Sequence, residues 1–194
     1  MRDNELFLEY QIADYAGISG AVDLLDDTTK ERDHANNPMD TSYAGLLVDM
    51  RCVRPSGIPC FQAMVWIRRK HVLDGFSKTM LVGEQSDECL DSEGLPQDCR
   101  STSGRMQTGT NGNGGSERGL MTMTTVAHPI NTKSWNPTTR GATTPIQSAH
   151  PGGAVVGFAD THVVFMPEEM ELHVMRAMAV RDEGAPTYSE VLGQ

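Results

Sequence analysis

Two short apolar runs near the C-terminal end form the clearest hydrophobic pattern in the chain. Residues 154–159 and 162–166 are separated only by the polar pair Asp160-Thr161. Two β-rich runs two residues apart predict a β-hairpin with a tight turn. The sequence His-Pro-Gly-Gly at 150–153 precedes the first strand and predicts a rigid, sharply turning entry. His150 and Asp160 would then lie at opposite ends of one strand and share no site, unless that entry folds back.

Shorter apolar or alternating runs predict further strands. Residues 6–12 alternate in polarity and predict a strand, whereas residues 14–17 are predicted to lead into a loop. The pair Asp74-Gly75 predicts a turn, and a strand at 78–83 runs out of it. The other candidate strands are residues 45–53, 61–67 and 120–126.

The last predicted element is a helix of about 14 residues. Pro167 suits the first helical position, and the glutamates that follow it suit the positive end of the helix dipole. Gly184 is predicted to end the helix. A methionine-rich stripe recurs at helical spacing and predicts core packing. Its members are Met170, Val174, Met175 and Met178.

These patterns predict one α+β domain over residues 1–194, with an antiparallel sheet, a C-terminal packing helix and long loops. A chain of 194 residues suits a single domain with a sizeable core. Residues 101–119 are rich in Gly, Ser, Thr and Asn, and they predict a flexible insertion.

The net charge of −10 argues against nucleic acid and against anionic membrane surfaces, since both require a basic patch. No run approaches the roughly 18–20 apolar residues of a membrane span. We therefore expect no nucleic-acid partner and no membrane contact by this chain itself. The basic run Arg68-Arg69-Lys70 is interpreted either as a solvated strand end or as an anion site.

The four cysteines form two local pairs in the sequence. The economical interpretation is two disulfides, Cys52 to Cys60 and Cys89 to Cys99, although the other two connectivities and four free thiols stay open. Disulfides would indicate an oxidising compartment.

The acidic loop around residues 87–98 is a weak candidate for a metal site. Carboxylates concentrated in a loop can hold Ca²⁺, but their spacing here departs from the EF-hand pattern, so a solvated acidic loop is the alternative. The candidate ligands are Asp87, Asp91, Glu93 and Asp98.

No pattern typical of an active site stands out, and we expect a non-enzymatic protein. The glycine-rich run at 109–115 lacks the Lys-Ser/Thr of a phosphate-binding loop, and there is no Gly-x-Ser-x-Gly elbow. His150 is interpreted as pinning its loop by a hydrogen bond, with a ligand or catalytic role as the alternative. A hydrolase using His150 and Asp160 would need these two side chains within hydrogen-bond reach, or one water apart.

Several separated blocks together resemble the bacterial prepilin-type, processing-associated family. His150, Gly152, Gly153 and Asp160 match its signature of a His followed after nine residues by Asp-Gly, with Thr161 in place of the glycine. The blocks at 73–84, 14–17, 128–131 and 172–184 match other family segments in the same order. Because a two-residue turn would put Thr161 at positive φ, we expect either a longer turn or a strained residue there.

This resemblance implies the globular head of a type IV pilin or type II secretion pseudopilin. In such proteins an N-terminal hydrophobic helix, which this sequence lacks, anchors the chain and packs into a filament. The resemblance implies location in the cell envelope, in the periplasm or at the cell surface, and protein partners from a filament or secretion system. It also implies no certain cofactor, although related heads often hold Ca²⁺ in acidic loops.

The expected function is therefore a non-enzymatic, pilin-like or pseudopilin-like head that presents a surface. A calcium-dependent extracellular binding module is the alternative.

Overall fold

The computed structural model describes residues 14–21, 42, 44–47, 67–90, 93–98, 100, 109–110, 120–121, 123–134 and 143–182. Within these ranges the chain forms nine strands, one short 3₁₀ helix and one α-helix. The strands are β1 (Tyr15–Ala21), β2 (Met80–Glu84), β3 (Cys89–Leu90), β4 (Pro96–Gln97), β5 (Gly109–Thr110), β6 (Leu120–Met121), β7 (Met123–Val126), β8 (Gly153–Phe158) and β9 (Val163–Pro167). The 3₁₀ helix spans Arg69–His71, and the α-helix, α1, spans Leu172–Ala179.

The main sheet has the strand order β7-β1-β2-β8-β9. Neighbouring strands are antiparallel except β1 and β7, which are parallel. The predicted α+β class is therefore confirmed, but the sheet is mixed and not antiparallel throughout. The parallel pair is possible because a long connection separates β1 from β7, and parallel strands need such a crossover.

One face of the sheet packs against α1 and forms the core. Met175, Met178 and Ala179 of the helix are fully buried, and they join Ile18, Met80 and Phe158 from the strands in one apolar cluster. The methionine stripe that the sequence predicted is thus part of the core.

The first described strand was not predicted. We expected residues 14–17 to lead into a loop, yet Tyr15–Ala21 is β1, a strand next to the middle of the sheet. Six of its seven residues are buried, so it shows no alternation of polar and apolar positions. The predicted strand at 6–12 lies outside the described residues, as do residues 48–53 and 61–66 of two others.

The C-terminal helix is shorter than predicted. Pro167 is the last residue of β9, where it pairs with Gly153, and the helix begins only at Leu172. Proline fits the end of an edge strand because it has no N–H to contribute to a ladder. The predicted end at Gly184 lies outside the described residues.

Two shorter ladders each include residues that were predicted to lie in loops, although β6 falls within the strand predicted at 120–126. β3 pairs with β4 inside the acidic loop, and β5 pairs with β6 across the predicted insertion at 101–119. The rest of that insertion lies outside the described residues, and its flexibility stays a prediction.

The predicted β8–β9 hairpin is present, but its turn is not the two-residue type. The Thr161 N–H donates to the Phe158 carbonyl at 3.0 Å, and the Phe158 N–H donates to the His162 carbonyl at 2.9 Å. This pattern leaves a three-residue loop whose last residue is left-handed, and Thr161 has φ +79°. The two outcomes expected for Thr161 therefore both occur: the turn is longer, and a β-branched residue occupies a position that favours glycine.

We predict that Thr161→Gly stabilises the protein. The left-handed region costs an L-residue roughly 1–2 kcal/mol, and the extra chain entropy of glycine offsets about 0.5–1 kcal/mol of the gain. The free energy of unfolding should therefore rise by about 0.5–1 kcal/mol in a denaturant titration. Ala159→Gly in the same turn is the matched control and should destabilise, because Ala159 is not at positive φ. A Thr161→Gly variant less stable than the parent would contradict this account of the turn.

Candidate functional site

Polar side chains converge at the end of the sheet where β2 ends and β8 begins. We call this cluster the polar junction, and it comprises Glu84, Asn131, Ser148, His150 and Glu168. These five residues come from four separate segments of the chain, so the junction exists only once the sheet has formed.

Glu84 is the central acceptor of the polar junction. Its side chain is only 12% exposed, and its two oxygens have different donors. Oε1 accepts a hydrogen bond from the Ser148 hydroxyl at 2.6 Å, and Oε2 accepts one from the Val155 N–H at 2.9 Å. The carboxylate thereby joins the end of β2 to a loop and to β8.

The Ser148 hydroxyl makes one hydrogen bond as donor and two as acceptor. Because its single proton goes to Glu84, its oxygen acts as acceptor towards His150, from the backbone N–H at 3.1 Å and from Nδ1 at 2.9 Å. His150 Nδ1 also lies 3.7 Å from Glu84 Oε1. His150 is 74% exposed, so the imidazole covers the junction from the solvent side.

Asn131 joins three further segments. Its Oδ1 accepts from the Ser148 N–H at 2.8 Å, and its Nδ2 donates to Glu168 Oε2 at 3.0 Å and to the Gly153 carbonyl at 3.4 Å. Asn131 has φ +59°, a conformation that asparagine tolerates better than most residues. Its backbone geometry and its side-chain contacts therefore both fit this residue type.

The two positions Gly152 and Gly153 of the His-Pro-Gly-Gly entry require glycine for different structural reasons. Gly152 has φ +84° and open space where a Cβ would lie. A Cβ on Gly153 would lie 2.2 Å from the Met166 carbonyl oxygen, so β8 and β9 could not approach each other there. The signature glycines thus allow the entry to turn and the hairpin to close.

The junction holds segments together, and its geometry is not that of a Ser-His-acid triad. In such a triad the histidine lies between the serine and the carboxylate, so that it can take the serine proton. Here the serine lies between Glu84 and His150, and Ser148 is 1% exposed. The hydrogen bonds of His150 to Ser148 agree with the interpretation that this histidine pins its own loop.

The structure does not bring His150 and Asp160 together. The six residues of β8 separate them, and each has its own partners. Asp160 Oδ1 accepts hydrogen bonds from the backbone N–H and Nδ1 of His162, whose ring stacks on Phe158 with centroids 4.4 Å apart. The hydrogen bond from the His162 side chain lowers the pKa of Asp160 below its ordinary value. The hydrolase alternative built on His150 and Asp160 is therefore contradicted.

The described part of the acidic loop shows no cluster of three or more candidate metal ligands, and the Ca²⁺ site stays a prediction. Asp98 is held by Arg100, whose Nε and Nη2 donate to its two oxygens at 2.9 and 2.7 Å. This side-chain hydrogen bond lowers the pKa of Asp98, although partial burial opposes the shift. Asp87, Glu93 and Asp98 join no group of three or more candidate ligands in the described ranges, and Asp91 lies outside them.

Cys89 is buried and disulfide-bonded. It faces Gln97 across the β3–β4 ladder, two residues before Cys99 in the sequence. Cys52, Cys60 and Cys99 lie outside the described residues, so the predicted pairing stays a prediction.

Sequence reasoning singled out His150, Gly152 and Gly153 but missed the three residues that bind them to the rest of the fold. Glu84 and Asn131 each end a block of the family resemblance, which was the available signal. Ser148 lies in an irregular stretch with no pattern that indicates its role.

The chain belongs to the family described as Protein of unknown function (DUF1559), whose model matches residues 12–173. This family is associated with type II secretion and pilin-like proteins. The full His-x9-Asp-Gly signature is not present, because Thr161 stands where the glycine is expected. No curated protein and no solved structure gave a significant match.

Among the described residues, the single α-helix, of eight residues, is too short to cross a membrane.

We predict that Ser148→Ala destabilises the protein by about 1–3 kcal/mol, because it leaves a nearly buried carboxylate oxygen of Glu84 without its donor. Urea denaturation followed by circular dichroism measures this change. The matched control is His150→Ala, which removes an exposed side chain from the same cluster and should cost about 0.5 kcal/mol or less. Equal effects of the two substitutions would mean that Glu84 does not depend on the Ser148 hydroxyl.

Proposed function

We propose that this chain is the non-enzymatic head domain of a pilin-like or pseudopilin-like protein of the cell envelope. The observation that carries the proposal is the family match, which extends from residue 12 to residue 173 and so covers most of the chain. The order of the matching blocks in the sequence agrees with it. In this role the domain presents a surface to protein partners of a filament or a secretion system.

The chemistry of the polar junction supports a structural role for its residues. Each oxygen of the Glu84 carboxylate accepts a hydrogen bond from the fold itself, and the Ser148 hydroxyl is saturated. A nucleophilic serine needs an exposed oxygen and a base that can take its proton. Ser148 is buried, and it donates its proton to a carboxylate.

The disulfide at Cys89 supports a location outside the reducing cytoplasm. Disulfides persist in the periplasm and at cell surfaces, whereas cytoplasmic thiols are kept reduced.

Cell fractionation with thiol trapping tests the proposal. Cells that express the protein from its own gene are lysed in the presence of an alkylating reagent, and the protein is followed by immunoblot. We expect it in the envelope fraction, with Cys89 protected from alkylation until a reductant is added. The cytoplasmic fraction of the same lysate, freed of outer membrane and processed in parallel, is the control for leakage between fractions. Recovery in the cytoplasmic fraction with an alkylated Cys89 would refute the proposal.

A further inference from the structure

A basic loop lies at one end of the main sheet. We define it as residues 68–78; its three consecutive cations Arg68, Arg69 and Lys70 are exposed, whereas Asp74 and Lys78 further along are half-buried. Arg69 lies over the ring of Phe76 at 5.7 Å, and Leu73 is 75% exposed. Among the described residues none of these three cations pairs with a carboxylate. The basic loop is thus a compact positive and partly apolar surface on a chain whose net charge is −10.

An acidic turn lies between β9 and α1. We define it as residues 168–171, and it carries three exposed glutamates, Glu168, Glu169 and Glu171. Glu168 accepts from Asn131 through Oε2, and Glu171 lies 3.1 Å from His173 Nδ1. The turn therefore presents negative charge from a backbone that is fixed on both sides, by the polar junction and by α1.

The basic loop and the acidic turn lie at opposite ends of the sheet. The loop leads into β2 beside the end of β8, where the Ala159 N–H donates to the Thr79 carbonyl at 2.9 Å. The turn lies beside the start of β8, where the Glu168 N–H donates to the Gly152 carbonyl at 3.0 Å. Six residues of strand separate the two ends by about 20 Å. One molecule cannot pair its own two surfaces across that distance.

We propose that the basic loop of one copy binds the acidic turn of a second copy. The contact joins two different surfaces, so it is heterologous, and each added copy leaves one basic and one acidic end available for the next. A row of heads then forms along the strand direction. This inference rests on the proposed function, because it names the contact between neighbouring heads of an assembly.

Charge favours a second copy over an anionic membrane. An anionic membrane surface attracts clusters of basic residues but repels negative charge elsewhere on the same protein. This chain carries a strong net negative charge, so the membrane would repel most of its surface. A second copy presents its acidic turn as a defined patch and can keep its remaining negative surface away from the contact.

Two double charge reversals test the contact in the full chain. The first is Arg69→Glu with Lys70→Glu, and the second is Glu169→Lys with Glu171→Lys. None of these four side chains belongs to the polar junction, and thermal unfolding of each variant checks that the fold is retained. The readout is the weight-average mass in analytical ultracentrifugation, at low and at high salt.

We expect the mass of the parent protein to rise above 21.2 kDa with concentration at low salt and to return to 21.2 kDa at high salt, where exposed charges are screened. Each variant alone should remain at 21.2 kDa. A mixture of the two variants should associate again, because the intact surface of one meets the intact surface of the other. Both variants stay negatively charged overall, since each double reversal changes the net charge of −10 by four. Net attraction therefore cannot explain the recovery.

A parent protein that stays at 21.2 kDa up to about 1 mM would overturn the inference, as would association that both reversals leave unchanged. A monomeric parent that binds vesicles containing anionic lipid, and loses this binding with the Arg69 and Lys70 reversal, would assign the basic loop to a membrane instead. These outcomes are distinguishable from failure of the proposed function. In that case the protein would be recovered in the cytoplasmic fraction, whatever its mass in ultracentrifugation.

Discussion

The structure depends on one nearly buried carboxylate. Glu84 ends β2, and burial of an ionised group is unfavourable unless donors replace the lost water. The Ser148 hydroxyl and the Val155 N–H supply these donors, one to each oxygen. Because the two donors come from a distant loop and from the next strand, the requirements of one side chain determine where those segments lie. Asn131 extends the same constraint to Gly153 and Glu168.

Polar groups also hold the opposite part of the sheet. Ser19 on β1 bonds to Thr124 and Thr125 on β7, and the Thr125 hydroxyl accepts from the Ser42 N–H at 3.2 Å. All four of these residues are buried. A small domain with few aromatic residues gains order from such networks, because each buried polar group is satisfied in only one arrangement of the segments. The sheet is thus held by an apolar face against α1 and by hydrogen bonds to the loops around it.

The sequence predicted the elements whose patterns are local. The β8–β9 hairpin, the strand after Asp74-Gly75 and the methionine face of the last helix follow from periodicity and turn residues. The strand β1 could not be predicted, because a strand buried on both faces and rich in glycine lacks the alternation that identifies strands. Proline at 167 was assigned to a helix start, since the residue alone does not distinguish that position from the end of an edge strand.

The polar junction could be predicted only in part. Its glycines and His150 lie in a recognisable motif, whereas its hydrogen bonds link residues up to 71 positions apart. Such pairings are tertiary, and no local pattern encodes them. The pairing of Asp98 with Arg100 is local, two residues apart, but neither the acidic composition of the loop nor the spacing of its carboxylates indicated it.

Native-state amide hydrogen exchange tests most directly whether Glu84 and Asn131 bind these segments into one unit. The Val155 N–H donates to Glu84, and the Ser148 N–H donates to Asn131. If the polar junction opens only when the sheet unfolds, both amides exchange with the same free energy as the hydrogen-bonded amides of the β8–β9 ladder. Exchange of Ser148 and Val155 at much lower free energy than that ladder would show that the junction opens locally, and it would contradict this account.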